Sequence, residues 1–262
     1  MRASPLHASD PRRNALPIAV QKQGIVLFAF RGSPPTIAAG LPVWVDGLDA
    51  KHKGADMLKL YYSKGSSALA AHILLEETNA PYETQEVSIA KGEHLTSEFS
   101  ILSPKRRLPL LQTPDGLLTE NPAILEYIAT THLECGLLPS GAFAQAQARS
   151  LAAYLCSTVH VAFAHNKRGA RWSDDGPAIA TMQAKVPDNL TAAAHYLESQ
   201  FPNGTWALGD QYSFCDPYLF LLSKWMQPFD LTLASFPKLA AHHAAMRARP
   251  ATQTAMAAHG LD

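Results

Sequence analysis

An α/β unit in the order β-α-β-α-β-β-α, followed by an all-α half, is the fold class this sequence predicts. Three observations carry that reading. The apolar run Leu58-Lys59-Leu60-Tyr61-Tyr62 is followed by a Gly/Ser turn and then by helical spacing. A proline-led hairpin occupies residues 109–118. Beyond Ala142 every patterned segment repeats with helical period.

In order, Leu58–Tyr62 reads as a buried strand, and Ser63-Lys64-Gly65-Ser66-Ser67 as the turn after it. Ala68 to Glu77 places Leu69, His72, Ile73 and Glu76 at helical spacing, and Tyr82 to Val87 alternates like a second strand. Phe99–Leu102 predicts a short helix. Pro109 then opens the strand Leu110-Leu111-Gln112, Pro114-Asp115-Gly116 turns it back, and Leu117-Leu118 completes the hairpin. A helix is expected from Pro122 to about His132, and 136–141 reads as a linker. The second half predicts helices over 142–165, 178–200, 216–225 and 236–247. Ser213 and Asp216 form a variant capping box before the third of these.

Residues 1–56 stand apart. They hold six prolines and no helical period, with one strand-like patch at 25–30. The expectation is an unstructured or spurious extension, with the working protein starting at Met57. No continuous apolar core with a small-residue cleavage site follows the basic start, so a secretory signal is not expected.

Composition narrows the function classes. The 22 basic and 22 acidic residues balance, so no global field favours nucleic acid or anionic lipid. Apolar runs fall short of the roughly 18 residues a membrane span needs. Three scattered cysteines without a C-x-x-C pair point to a reducing, cytoplasmic setting and away from zinc or disulfides. No histidine spacing matches a metal motif, so no metal is expected.

The stretch 104–124 carries the first hint of a ligand. A proline at a strand entrance cannot donate to the ladder, so the backbone before it is left for a visitor. A cis Leu108–Pro109 bond would aim Leu108's N–H and C=O into a cleft. Glu120 and Asn121 fall at a helix start with unpaired N–H groups. Together these suit an extended peptide with a free carboxylate.

Leu108-Pro109, Thr119-Glu120-Asn121-Pro122-Ala123-Ile124 and Ser213-x-x-Asp216, in this order and spacing, resemble the cytosolic glutathione transferase superfamily over about 57–260. The opening Leu60-Tyr61-Tyr62-Ser63-x-Gly65-Ser66 is similar to bacterial beta-class members, and Lys91-Gly92-Glu93-His94-Leu95 to a theta-class loop. The resemblance implies a thioredoxin-like, glutathione-binding domain over 57–138 and an all-helical domain over 143–262, assembled as a homodimer. It implies glutathione as co-substrate and a small, largely apolar electrophile, with detoxification-type conjugation as the activity. Leu108 and Pro109 would hold the peptide backbone of glutathione. Glu120 and Asn121 would receive its γ-glutamyl end, and Lys91, His94 and Lys105 its glycine carboxylate. In loops, these basic side chains are equally compatible with a solvated surface.

Two departures from the beta pattern matter. Ser67 stands at the beta-class cysteine position, and Lys64 where proline is usual. Serine cannot form a mixed disulfide, which favours conjugation over thiol exchange. The thiolate donor is Ser66 or Ser67, or else either hydroxyl merely caps the helix that follows. His160 matches a beta-class histidine reaching the cleft from the second domain; on an apolar helix face it also suits a satisfied interior role. His165, Lys167, Arg168 and Arg171 would line the electrophile side or a solvated surface. Alternatives are a non-catalytic binding or regulatory protein, and a glutathione-dependent isomerase or dehalogenase.

Overall fold

The computed structural model describes residues 57–229 and 231–261, together with the backbone of strands at 19–22 and 25–28. Chain contacts divide it into two units, 1–45 and 46–262. In the first, β1 (Ala19–Lys22) pairs antiparallel with β2 (Ile25–Phe28). The expected strand patch is present over Ile25–Phe28, and it has a partner the pattern did not suggest. The rest of the predicted extension lies outside the described residues.

The second unit is built on a four-stranded sheet of order β4-β3-β5-β6. Strand β3 (Leu58–Tyr62) runs parallel to β4 (Tyr82–Glu86) and antiparallel to β5 (Leu110–Thr113). Strand β6 (Gly116–Thr119) closes the hairpin with β5, Leu111 facing Leu118. Being central, β3 is buried on both faces, which is why its run is nearly all apolar. Strand β4, on the edge, is Tyr-Glu-Thr-Gln-Glu and mostly exposed, a composition that discourages further pairing.

Helix α1 (Ala68–Thr78) is the centre of this second unit. It packs on α3 (Asn121–Thr131), α8 (Asp216–Met226) and α10 (Pro250–Ala258) as well as the sheet, so it is apolar nearly all round. Asn79, left-handed at φ 53°, ends it. The short helix α2 (Ser97–Leu102) starts where Thr96 Oγ1 accepts from the Phe99 N–H at 3.2 Å.

The helical half departs from expectation in four places. The helix predicted over 142–165 is α4 (Ala142–Tyr154), a π turn (Leu155–Val159) and α5 (His160–Arg168) in unbroken succession. The helix predicted over 178–200 is two, α6 (Gly176–Ala184) and α7 (Val186–Gln200). Pro187 separates them, since it offers no N–H and its ring collides with the carbonyl four residues back. Helix α9 (Pro237–Ala248) is followed by α10, which the alanine-rich pattern did not reveal. Finally, only half of the capping box forms. Asp216 Oδ2 accepts from the Ser213 N–H at 2.7 Å and from its hydroxyl at 2.9 Å, whereas the Asp216 N–H donates to the Ser213 carbonyl. Asp216 Oδ1 also takes the Ala207 N–H at 2.7 Å and faces His242 Nε2 at 3.0 Å. A fully buried carboxylate is thereby matched on both oxygens.

At the seam between the sheet layer and the helical half, Arg249 Nε and Nη2 donate to the two Glu77 oxygens at 2.5 and 2.7 Å. The same guanidinium lies over the Tyr212 ring, 4.0 Å from its centroid. At the other end of α10, His259 packs on Tyr62 and His72, with ring centroids 4.7 and 5.3 Å away. No helix of the described residues is long and apolar enough to cross a membrane.

Candidate functional site

The candidate site gathers the turn after β3, the loop before β5 and the start of α3, joined by hydrogen bonds from Ser67 to Leu108 and from Asn121 to Ser67, with His160 of α5 and Tyr218 of α8 paired behind them. The Leu108–Pro109 bond is cis. Leu108's N–H makes no hydrogen bond among the described residues, but its carbonyl is not open as expected, because Ser67 Oγ donates to it at 3.3 Å. Half of the predicted backbone docking edge is thus tied to the helix start.

The two serines differ in how their protons are used. Ser66 Oγ accepts from the Ser63 N–H at 3.4 Å and from the Ala68 N–H at 3.3 Å, so it caps α1 while its own hydroxyl proton stays uncommitted. Ser67 is 8% exposed, and its proton is directed at Leu108. Gly65 supplies the positive φ, +66°, that the turn requires. Lys64 turns away toward Glu86, at 3.6 Å. Ser63 is buried, its Oγ accepting from the Ile89 N–H at 3.2 Å.

Asn121 is buried rather than presented to a ligand. Its Nδ2 donates to the Ser67 carbonyl at 2.9 Å, and its Oδ1 has no hydrogen-bond partner. Its side chain also lies at the Tyr218 hydroxyl. That hydroxyl is 2.8 Å from His160 Nδ1. Burial first, then Cys156, pushes the Tyr218 phenol far up, so it keeps its single proton. Ser67, Asn121, Tyr218 and His160 therefore form a polar line from the sheet layer into the helical half. His160 is drawn down to about 4, by desolvation first and then by Arg168, Arg171 and Arg107, with Glu120 opposing. It is a neutral imidazole near pH 7, unsuited to act as a cation beside a thiolate.

Glu120 takes a non-glycine positive φ of 73° immediately before α3. Its carboxylate meets Lys105 Nζ at 2.6 Å, and Lys105 also donates to Thr119 Oγ1. The two residues expected at opposite ends of the ligand are here each other's partner. Both are about half exposed, where an ion pair contributes only about 0–1 kcal/mol and is readily exchanged. Lys91 is exposed, with only its N–H engaged, at 3.3 Å from Ser88 Oγ. His94 is drawn down by burial first and then by Arg168 and Arg171.

The aromatic side chains behind the cleft are close-set. Phe163 stacks on Trp225 at 4.5 Å, and Trp225 meets His160 edge-on at 5.2 Å. Sequence reasoning missed Tyr218, Trp225 and Arg107. Arg107 had a local signal, standing directly before Leu108-Pro109. Tyr218 and Trp225 join the site only through the packing of α8 on α5. Among the described residues no group of three or more His, Cys, Asp or Glu is placed to hold a metal.

A thioredoxin-like sheet layer with a cis-proline edge, packed on an all-helical half, is the architecture of glutathione transferases, and this chain belongs to that family. Family models match the glutathione S-transferase N-terminal domain over residues 57–130 and the C-terminal domain over 159–250. A glutathione transferase homolog from Sulfitobacter, solved with bound glutathione, superposes with a TM-score of 0.76 at 35% identity, covering 79% of this chain and all of that one. The glutathione S-transferase GstA of Escherichia coli O157:H7 is 28% identical, over 78% of this chain and all of its own length. A maleylacetoacetate isomerase of Pseudomonas aeruginosa is also 28% identical, over 75% of this chain and 97% of its own.

Proposed function

We infer that this chain is a glutathione transferase that promotes attack of the glutathione thiolate on an electrophilic small molecule. The observation that carries it is the conjunction, at one helix start, of an uncommitted Ser66 hydroxyl with the Leu108 edge. The 35% identical structure that holds glutathione supports the same ligand here. In this reading residues 57–138 bind glutathione and 143–262 supply the electrophile's wall.

Leu108's N–H pairs with the peptide backbone of glutathione. Glu120 exchanges Lys105 for the γ-glutamyl ammonium, while the freed Lys105, with Lys91 and His94 nearby in sequence and loop, meets carboxylate. The N–H groups at the start of α3, rather than the buried Asn121 amide, take the γ-glutamyl carboxylate. Lowering a thiol from about 8.5 by two units needs about 2.7 kcal/mol of thiolate preference. A charge-assisted bond from Ser66 supplies about 1.5–3 kcal/mol and the α1 N-terminus about 0.3–1 kcal/mol more. These are sufficient without an ionised side chain. Ser67, through Leu108 and Asn121, positions the docking edge. His160 orients Tyr218. The thiolate sulfur forms the new bond to carbon as the leaving group departs with its electron pair, or as an activated double bond takes up a proton.

Retention on immobilised glutathione, followed by conjugation of a chloronitroaromatic, tests the reading. Failure to be retained would remove it, and retention without turnover on varied electrophiles would favour a binding protein. The similarity to maleylacetoacetate isomerase supports a second reading, cis–trans isomerisation of a maleyl compound through a transient glutathione adduct. Direct assay of that isomerisation decides between the two. We also propose a cytoplasmic homodimer, which sedimentation would check.

A further inference from the structure

The end of α10 meets the turn that carries Ser66, and it does so with consecutive residues. His259 packs on the Tyr62 ring, centroids 4.7 Å apart, and on His72 of α1 at 5.3 Å. The Tyr62 hydroxyl donates to the Ala258 carbonyl at 3.5 Å, across 196 positions of chain. Next along, a Cβ placed on Gly260 would lie 4.0 Å from Lys64 Cδ. Tyr62 and Lys64 flank Ser63, whose N–H donates to Ser66 Oγ at 3.4 Å. Lys64 stands where proline is usual, and its stem passes Gly260 while its ammonium faces Glu86 at 3.6 Å.

Both partners in this contact are held in place. Helix α10 ends in a Schellman stop: the Gly260 N–H donates to the Ala257 carbonyl at 3.0 Å and the Leu261 N–H to that of Met256 at 2.9 Å. Gly260 supplies the left-handed φ, +64°, that this stop needs. His259 is thereby presented at a fixed angle, and it is 1% exposed. Neither of its ring nitrogens has a hydrogen-bond partner among the described residues, so the ring acts through its faces alone. From the β4 side, the Val87 N–H donates to the Tyr62 carbonyl at 2.7 Å, and the Ile89 N–H to Ser63 Oγ at 3.2 Å. Tyr62 is therefore fixed at its backbone by the sheet and at its ring by α10.

We propose that His259 is a positioning residue for thiol activation: with Gly260 it holds Tyr62 and Lys64, and through them the Ser63–Ser66 turn that aims the Ser66 hydroxyl at the glutathione sulfur. This rests on the glutathione reading and extends it to α10, a helix that contributes no group to the sulfur itself. A hydrogen bond weakens steeply as its angle departs from linear. A small displacement of the turn is therefore felt by the thiol before it is felt by the fold.

The test reads the pKa of bound glutathione from thiolate absorbance, with the full chain held well below its melting temperature. His259→Ala is expected to raise that pKa by about half a unit to one unit, a loss of thiolate of about three- to tenfold. His259→Phe keeps a ring against Tyr62 and should restore the unaltered value. Gly260→Ala, strained at a left-handed φ, should shift the pKa in the same direction and serves if His259→Ala does not fold. Arg249→Ala, at the other end of α10, loosens the fold by a different route and should leave the thiol where it is. On a Ser66→Ala background, His259→Ala should add nothing further. An unmoved pKa in His259→Ala, or in Gly260→Ala should the first not fold, would overturn the proposal. So would an equal shift in Arg249→Ala, or a fully additive shift on Ser66→Ala. If the unaltered chain gives no thiolate signal with glutathione, the glutathione reading falls and takes this proposal with it; if that signal is present and only the variants fail to move it, the glutathione reading stands.

Discussion

Where α1 meets α10, Arg249 grips both oxygens of Glu77 and lies on Tyr212, whereas at the candidate site Lys105 and Glu120 touch through one exposed contact. Both pairs join opposite charges at similar distances, yet they serve different ends. The Glu77 carboxylate is 11% exposed, so removing its partner would strand a charge away from water. Glu120 is 52% exposed, and water or a ligand can take its partner's place at little cost. The seam is built to stay closed, and the cleft to exchange partners.

The sharpest way to break this contrast is Arg249→Ala, expected to destabilise the fold by about 3 kcal/mol in denaturant melts, mainly through the stranded Glu77. Loss of well under 1 kcal/mol would put the seam in the same class as the cleft. Acid should attack the seam next. His259 is held down to about 3, by burial first and then by His72, and His72 is itself lowered chiefly by burial. Both folded values lie below the unfolded value of about 6.5, so their contribution is fully present above pH 6.5 and is lost as pH falls from there toward 3. The stability slope in that window should approach about 1.4 kcal/mol per pH unit per linked proton, and His259→Phe should flatten it. A melt series showing the same slope in the variant would remove His259 from the account.

At the cleft, Ser66→Ala should raise the pKa of bound glutathione by about 1–2 units, read from thiolate absorbance or from the acid limb of kcat/KM. Ser67→Ala should move it less and instead weaken glutathione binding, by loosening Leu108. Equal effects would dissolve the distinction between their two protons. His160, at about 4, should leave no ionisation in the profile between pH 5 and 8. The smallest expected change is in stability on Lys105→Met, within about 0.5 kcal/mol, while KM for glutathione rises. A large loss of stability there would make the cleft pair structural after all.

Much of this fold was legible because its signals are local. The strand β3, the hairpin about Pro114-Asp115-Gly116, the entry at Pro109 and the start of α3 each announce themselves within a few residues. Pro187 was an equally local signal for a helix break, and the alanine-rich run around it masked it. The pairing of Lys105 with Glu120, the bond from Asn121 to the Ser67 carbonyl and the meeting of His160 with Tyr218 depend on residues brought together by packing across 15 to 58 positions of chain. No periodicity carries that information. The burial of Asn121 was illegible for this reason: at a helix start an amide ordinarily faces outward, but here its Nδ2 turns in to the Ser67 carbonyl.

The π turn at Leu155–Val159 lets the helix that carries His160 absorb a change of chain length. Each residue of an α-helix advances the side-chain direction by about 100°. A π turn takes up one residue more than the α-helical count, so deleting one residue from it would let the helix relax to ordinary α geometry with His160 and Phe163 still facing as they do. A lineage can therefore lose or gain a single codon here and keep the pairing of His160 with Tyr218 and Trp225 intact.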